Sequence, residues 1–231
     1  MVARPQSPID VAFLTENPTA GTLILVRHGQ QEWPDPSNAG AGEWVDPPLS
    51  ALGRRQAAAV GEYLAGEKVD AIYSSALQRA HHTGLAVAAH HGRDVEVVME
   101  LGEIHVFRDL PQDERASDIL GERALNGIRE RFIQTRRWDA YPYSETSADF
   151  RRRIGYAVES VVVTHPGQTV VVACHGGVIN AYVCEILGIP ADMVFRPAHA
   201  SVHRIRFAEG RRVVESLNEL RFLVESDLLS W

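Results

Sequence analysis

Two histidines in this chain stand in the same local context. His28 follows Leu23-Ile24-Leu25-Val26-Arg27 and precedes Gly29; His175 follows Val170-Val171-Val172-Ala173-Cys174 and precedes Gly176-Gly177. A neutral imidazole is a nucleophile, and the guanidinium of Arg27 is a planar donor fork suited to phosphate. Arg79 follows a further apolar run, residues 69–73, near the start of an expected helix, where an anion is favoured. Glu100 and Glu103 come after a third run, residues 95–98. A carboxylic acid beside phosphate can protonate a leaving alcohol. For one His-Gly pair, a backbone-satisfied histidine beside a surface arginine would be the better reading. Its recurrence after two similar runs favours chemistry. Arg79 alone reads better as a solvated helix arginine on an exposed face.

The elements that must position these residues follow from hydrophobic patterning. Unbroken branched apolar runs are the mark of parallel strands buried on both faces. In open α/β sheets, ligands bind beyond the carboxyl ends of such strands, which is where His28 and His175 stand. Strands are expected at residues 22–26, 69–73, 95–98 and 169–174. Gly29 is expected to permit a tight turn. A loop rich in Pro, Gly, Asp and Asn over residues 33–48 reads as part of the site rim. Ser50 caps a helix to about Leu64, and Ser74 or Ser75 caps one from Ala76 to about His91, stopped by Gly92. His81 and His82 read as structural, and His90 and His91 as partners of the last helical carbonyls. One or two helices are expected within residues 113–138.

Phe150, Ile154, Ala157, Val158, Val161 and Val162 repeat at helical spacing behind a cap at Thr146 or Ser147. Arg151, Arg152 and Arg153 read mostly as a solvated face of that helix. Another helix follows His175 and closes at Gly188. Residues 201–207 and 212–217 flank Glu209-Gly210 as a hairpin, and residues 219–227 read as an acidic tail. The alternation gives an α/β fold: a three-layer α/β/α sandwich with a mostly parallel, mixed sheet. Residues 1–20 read as an N-terminal extension. Residues 21–231 read as a single domain with a helical insertion at about 109–143.

Composition narrows the function classes. With 30 acidic against 23 basic residues, the net charge of -7 argues against a nucleic-acid binder. An anionic small substrate stays compatible, because local arginines override a global field. No stretch reads as a membrane span or a signal peptide. Cys174 and Cys184 imply neither a disulfide framework nor a zinc site, so a reducing, cytoplasmic location is expected. No cofactor and no metal are expected. A homo-oligomer is left open.

Taken in order, Leu25-Val26-Arg27-His28-Gly29, Asp46-Pro47-Pro48-Leu49-Ser50-Ala51-Leu52-Gly53, residues 75–83, Leu101-Gly102-Glu103 and Ala173-Cys174-His175-Gly176-Gly177 resemble the histidine phosphatase superfamily, in its phosphoglycerate mutase-like branch. The resemblance spans about residues 22–208. It implies a phosphoglycerate mutase-like fold, a small phosphorylated substrate and metal-free chemistry. It further implies that His28 becomes phosphorylated, that Arg27, Arg79 and His175 grip phosphoryl oxygens, and that Glu103 donates the proton, with Glu100 as the alternative. The amide of Gly176 at a helix start adds a phosphate contact. Two departures stand out. Pro34 occupies a place where the family commonly has asparagine, and the glycine-rich pattern often seen after the acid is missing after Glu103. The expected activity is a phosphomonoesterase. A mutase and a non-catalytic phospho-ligand binder are the alternatives.

Overall fold

The computed structural model describes residues 7–15 and 17–231. Its centre is a six-stranded sheet of order β3-β2-β4-β1-β5-β6. The strands are β1 (Gly21–Arg27), β2 (Ala71–Ser74), β3 (Val95–Val97), β4 (Thr169–Cys174), β5 (Val202–Ala208) and β6 (Arg211–Glu219). β3, β2, β4 and β1 run parallel, and β5 pairs antiparallel with both β1 and β6. The expected mixed, mostly parallel sheet is therefore present, with the hairpin at one edge.

Side chains alternate across the sheet and build two cores. Leu23, Leu25, Val170 and Val172 face α6 (Ser147–Val163) and α7 (Gly176–Leu187). Ile24, Val26 and Val171 face the opposite layer, where Val60 and Leu64 of α2 (Ala51–Leu64) and Val87 of α3 (Gln78–Ala88) pack. This is why the central strands read as continuous apolar runs: neither face meets water. Burying each Leu or Ile side chain contributes about 1.5–3 kcal/mol. Ser50 caps α2 by accepting from the Gly53 amide at 3.0 Å, and Thr146 caps α6 by accepting from Asp149 at 3.1 Å.

Several boundaries differ from the sequence expectation. α3 starts at Gln78 rather than Ala76, and neither serine caps it. Ser74 Oγ instead pairs with His81 Nδ1 at 3.0 Å, and Ser75 Oγ accepts from the Leu77 amide at 3.2 Å. The Gln78 amide is satisfied from a distance, by Asp46 Oδ1 at 2.8 Å. His90 and His91 lie beyond the helix, in the turn that Gly92 completes at φ +59°. The insertion forms α4 (Ala116–Leu120) and α5 (Glu122–Thr135), split at Gly121 with φ +80°.

The expected acidic tail is not free. It completes β6 and forms α8 (Arg221–Glu225), with Leu223 and Leu228 buried in the α2 and α3 layer. Within the expected N-terminal extension, residues 1–6 and 16 lie outside the described residues. Residues 8–12 form α1 (Pro8–Ala12), capped by Ser7, and Leu14 is fully buried. Among the described residues, no helix is long and apolar enough to cross a membrane.

Candidate active site

β1 and β4 are neighbours in register, with Arg27 opposite Cys174. The residues that follow therefore emerge side by side at one sheet edge. The His28 amide bonds the Cys174 carbonyl at 2.9 Å, and the His28 and His175 rings lie 5.1 Å apart. His28, His175 and Arg79 are all buried, and Arg79 is only 4% exposed. The expectation of an exposed Arg79 is overturned. It is the second residue of α3, and it points inward because the loop over residues 33–48 covers it. Its Nη1 donates to the Val45 carbonyl at 2.9 Å and lies 3.8 Å from Asp46 Oδ1.

The tautomer of His28 follows from its partners. Nδ1 lies 2.7 Å from the Gly29 carbonyl, which can only accept, so Nδ1 carries the hydrogen. Nε2 then presents a lone pair, toward which Arg79 Nε donates at 3.3 Å. Burial, foremost, and then the charges of Arg79, His175 and Arg27 hold His28 well below the usual imidazole range. Burial, rather than the like charge of the arginines, is the larger cause. His175 is lowered in the same way by burial, Arg79 and Arg27. Both of its ring nitrogens and Arg27 Nε are buried without a hydrogen-bond partner among the described residues. Burial pulls Arg27 to about 10, opposed by Glu103, so it stays cationic at neutral pH.

Gly29 is required for a reason other than a turn. A Cβ there would stand 2.3 Å from the Gly53 carbonyl, so glycine permits close approach of the loop to the start of α2. Thr83 of α3 secures the same point by accepting from the Gly29 amide at 3.1 Å. At the start of α7, Gly176 lies against Arg27, and a Cβ on it would sit 3.6 Å from Arg27 Nε. Gly177, which sequence reasoning did not single out, donates its amide to Glu103 Oε2 at 2.9 Å.

Glu103 thus joins the cluster, and its charge acts on both Arg27 and Arg79. Glu100 does not join it, because its side chain is exposed. Arg153 donates to the carbonyls of Glu100 and Gly102, the latter at 2.9 Å, and pairs with Glu145 Oε2 at 2.7 Å. It therefore braces the turn that presents Glu103. Arg151 donates to the Ile189 carbonyl at 2.8 Å, which leaves Arg152, paired with Asp149, as the solvated member of the triplet. Arg129 and Arg137 of the insertion are engaged with Asn126 and with Asp139 and Pro190.

Other site neighbours also escaped the sequence. Arg27 donates to the Pro197 carbonyl and, at 3.1 Å, to His199 Nε2. Pro197-Ala198-His199 lies in the connection between α7 and β5 and not at the end of a strand, and backbone acceptors such as Val45 and Pro197 carry no sequence signal. Among the described residues, no group of three or more His, Cys, Asp or Glu is placed to hold a metal ion.

The assembled chemistry is a neutral imidazole aimed into a cationic pocket, with a carboxyl group at a helix start. Comparison with known proteins finds the same combination of sequence and fold. Residues 23–220 match the histidine phosphatase superfamily (branch 1). The chain is 33% identical over 204 residues to phosphoserine phosphatase 1 of Hydrogenobacter thermophilus, covering 85% of this chain and 91% of that protein. It is also 33% identical over 188 residues to the 2,3-bisphosphoglycerate-dependent phosphoglycerate mutase of Brucella anthropi, covering 76% and 85%. The solved structure of mycobacterial glucosyl-3-phosphoglycerate phosphatase complexed with VO3 superposes with a TM-score of 0.70 at 26% identity, covering 85% of this chain and 98% of that one. With family, fold and enzyme-named relatives in agreement, this chain belongs to the histidine phosphatase superfamily, branch 1, and is an enzyme of the phosphatase and mutase type.

Proposed function

We propose that the protein is a metal-independent phosphomonoesterase that acts on a small phosphorylated metabolite through a phosphohistidine on His28. The observation that carries this reading is the His28 ring. Its Nδ1–H is held by the Gly29 carbonyl, so the Nε2 lone pair faces the buried cations and the unpartnered His175. In the first step, Nε2 bonds to phosphorus as the ester P–O bond breaks, and Glu103, as the acid, delivers a proton to the leaving oxygen. In the second, Glu103 as carboxylate takes a proton from water. That water bonds to phosphorus as the P–Nε2 bond breaks, which releases inorganic phosphate and the free imidazole.

Arg27, Arg79 and His175 hold the three phosphoryl oxygens, over which charge spreads in the transition state. Residues 21–231 act as one domain in this reading, since a single sheet carries every site element.

Hydrolysis is favoured over mutase activity by the rim. A mutase must bind a second anionic group and keep water from its phosphohistidine. Pro34 supplies no side-chain donor, and it lines a rim cleft together with Glu32, Glu43 and Asp46. Those acids repel a bisphosphate. The relatives named for phosphoserine and for glucosyl-3-phosphoglycerate are phosphatases, and both names describe phosphate esters of small hydroxy compounds. The similarity to a phosphoglycerate mutase keeps that reading as the second one.

The test is a panel of phosphoserine, phosphorylated sugars and 3-phosphoglycerate with a trace of the 2,3-bisphosphate. We expect phosphate release to outpace interconversion of the 2- and 3-phosphates. Faster interconversion makes the protein a mutase. His28→Ala should lose turnover by several orders of magnitude, together with the acid-labile, base-stable phosphoprotein. Retention of either removes the phosphohistidine route.

A further inference from the structure

We infer that His199 is a positioning residue for Arg27 and that Ser230 holds His199 in place. The segment around Leu228 and Ser230 then belongs to the frame of the phosphoryl site. This rests on the reading of Arg27 as a grip on the phosphoryl group.

The geometry runs through one buried hydrogen-bond chain. Two of the three guanidinium nitrogens of Arg27 are taken up by a single segment: Nη1 by the Pro197 carbonyl and Nη2 by His199 Nε2 at 3.1 Å. The third, Nε, has no hydrogen-bond partner among the described residues and lies on the side of Gly176 and α7. The segment thus fixes the plane of the guanidinium and leaves the Nε–H on the side of the helix start. A guanidinium can only donate, so His199 Nε2 must accept, and the ring hydrogen sits on Nδ1. Nδ1 lies 2.9 Å from Ser230 Oγ, and the His199 amide donates to the Ser230 carbonyl at 3.0 Å. Burial and the nearby Arg27 hold His199 at about 3, which keeps the accepting tautomer available at every working pH.

Ser230 is itself fixed. Gln56 Nε2 donates to Ser230 Oγ at 2.9 Å and to the Leu228 carbonyl at 2.7 Å. Gln56 Oε1 accepts from the Gln30 amide at 2.7 Å, in the loop that leaves His28. Leu223 and Leu228 anchor the segment in the α2 and α3 layer. From the other side, the Ala200 amide donates to the His28 carbonyl at 3.1 Å, and the His199 ring stands 5.9 Å from the His28 ring. One fully buried glutamine and one histidine therefore tie residues 228–230 to both Arg27 and the nucleophile's loop. Without His199, the Pro197 carbonyl would be the remaining protein partner of Arg27 among the described residues, and one hydrogen bond leaves the guanidinium free to pivot about Nη1. Misplacement by about 1 Å is enough to cost on the order of 100-fold in rate.

The test uses the full chain with Ser230→Ala, Ser230→Thr, His199→Gln and His199→Phe, reading kcat, KM, the inhibition constant for vanadate and the thermal midpoint. Ser230→Ala should lower kcat/KM by about tenfold, mainly in kcat, and weaken vanadate inhibition by a similar factor. Ser230→Thr restores both, because the hydroxyl acceptor returns. His199→Gln, which can still offer Arg27 an acceptor, should retain more activity than His199→Phe. Ser230→Ala sits at the molecular edge, so it tests the inference even if His199→Phe fails to fold. If Ser230→Ala and His199→Gln lower the thermal midpoint but leave kcat and vanadate inhibition unchanged, the role is structural only and the inference falls. Arg27→Ala separates the two readings. If it leaves vanadate inhibition intact, Arg27 is no phosphoryl grip; if it weakens inhibition while the Ser230 and His199 variants do not, the positioning role alone is wrong.

Discussion

Replacing Gly177 with alanine tests the placement of Glu103 without disturbing the fold. A Cβ on Gly177 would stand 2.3 Å from Glu103 Oε1, and the next nearest atoms, at 3.1 and 3.3 Å, also belong to that carboxylate. Ordinary van der Waals contact begins at 3.4 Å, so the carboxylate must retreat by about 1 Å, and a misplacement of that size costs on the order of 100-fold in rate. That loss corresponds to about 2.7 kcal/mol of transition-state stabilisation. The backbone has no reason to move, because Gly177 is the second residue of α7 and has no positive φ. Alanine is also the better helix former by about 1 kcal/mol, which offsets the new contact. The thermal midpoint of Gly177→Ala should therefore match or exceed that of the parent.

The assay is kcat/KM, which reports phosphoryl transfer to His28, for an alkyl phosphomonoester and for 4-nitrophenyl phosphate. The alkoxide leaving group needs the proton and nitrophenolate does not, so the loss should fall on the alkyl ester. Equal kcat/KM for the alkyl ester in parent and variant, or equal losses for both esters, would falsify the view that Glu103 protonates the leaving oxygen.

Glu103→Gln should reproduce that leaving-group dependence while Glu100→Gln stays near parental activity; a larger effect of Glu100→Gln would reassign the acid. Stability should fall on mild acidification. His28, His175, His199 and His203 are all held below the ordinary imidazole range, first by burial. The unfolded chain binds protons below about pH 6.5 that the folded chain refuses, so this stability is complete above that pH and lost below it. His199 and His203 are each held at about 3, so at pH 5 each costs about 2 kcal/mol, together roughly 4 of a typical 5–15 kcal/mol, and His28 and His175 act in the same direction. The depressed carboxylates, such as Asp139, start from an ordinary value of 3.8 and act below this window. The urea midpoint should therefore drop by more than about 1 M between pH 7.5 and pH 5, and a constant midpoint would show that these rings titrate normally. Activity should survive a chelator; loss that added metal restores would contradict the metal-free route.

The sequence by itself determined the layers and the two ends that meet. Runs such as Leu23 to Val26 and Val170 to Cys174 are apolar without alternation because both faces of a parallel sheet are buried. That local pattern needs no partner to be read. Since His28 and His175 each follow such a run, both stand at the carboxyl edge of a parallel sheet, and that β1 and β4 are neighbours in register brings the rings together; the serine and threonine caps of α2 and α6 were equally local.

Tertiary structure decided what depends on contacts distant in sequence. Asp46 caps α3 from another loop, and Arg79 is buried because Val45 covers it, so neither the helix start nor the exposure was legible within residues 74–79. Glu103 rather than Glu100 lies in the cluster because the Gly177 amide, 74 positions on, donates to its carboxylate. Residues 219–227 look like an acidic tail by composition, yet Leu223 and Leu228 find a core. The link from Gln56 through Ser230 and His199 to Arg27 joins four separate stretches by single polar atoms. Hydrophobic periodicity carries no trace of such links, because a hydrogen bond between remote side chains is fixed by packing and not by the neighbours of either residue.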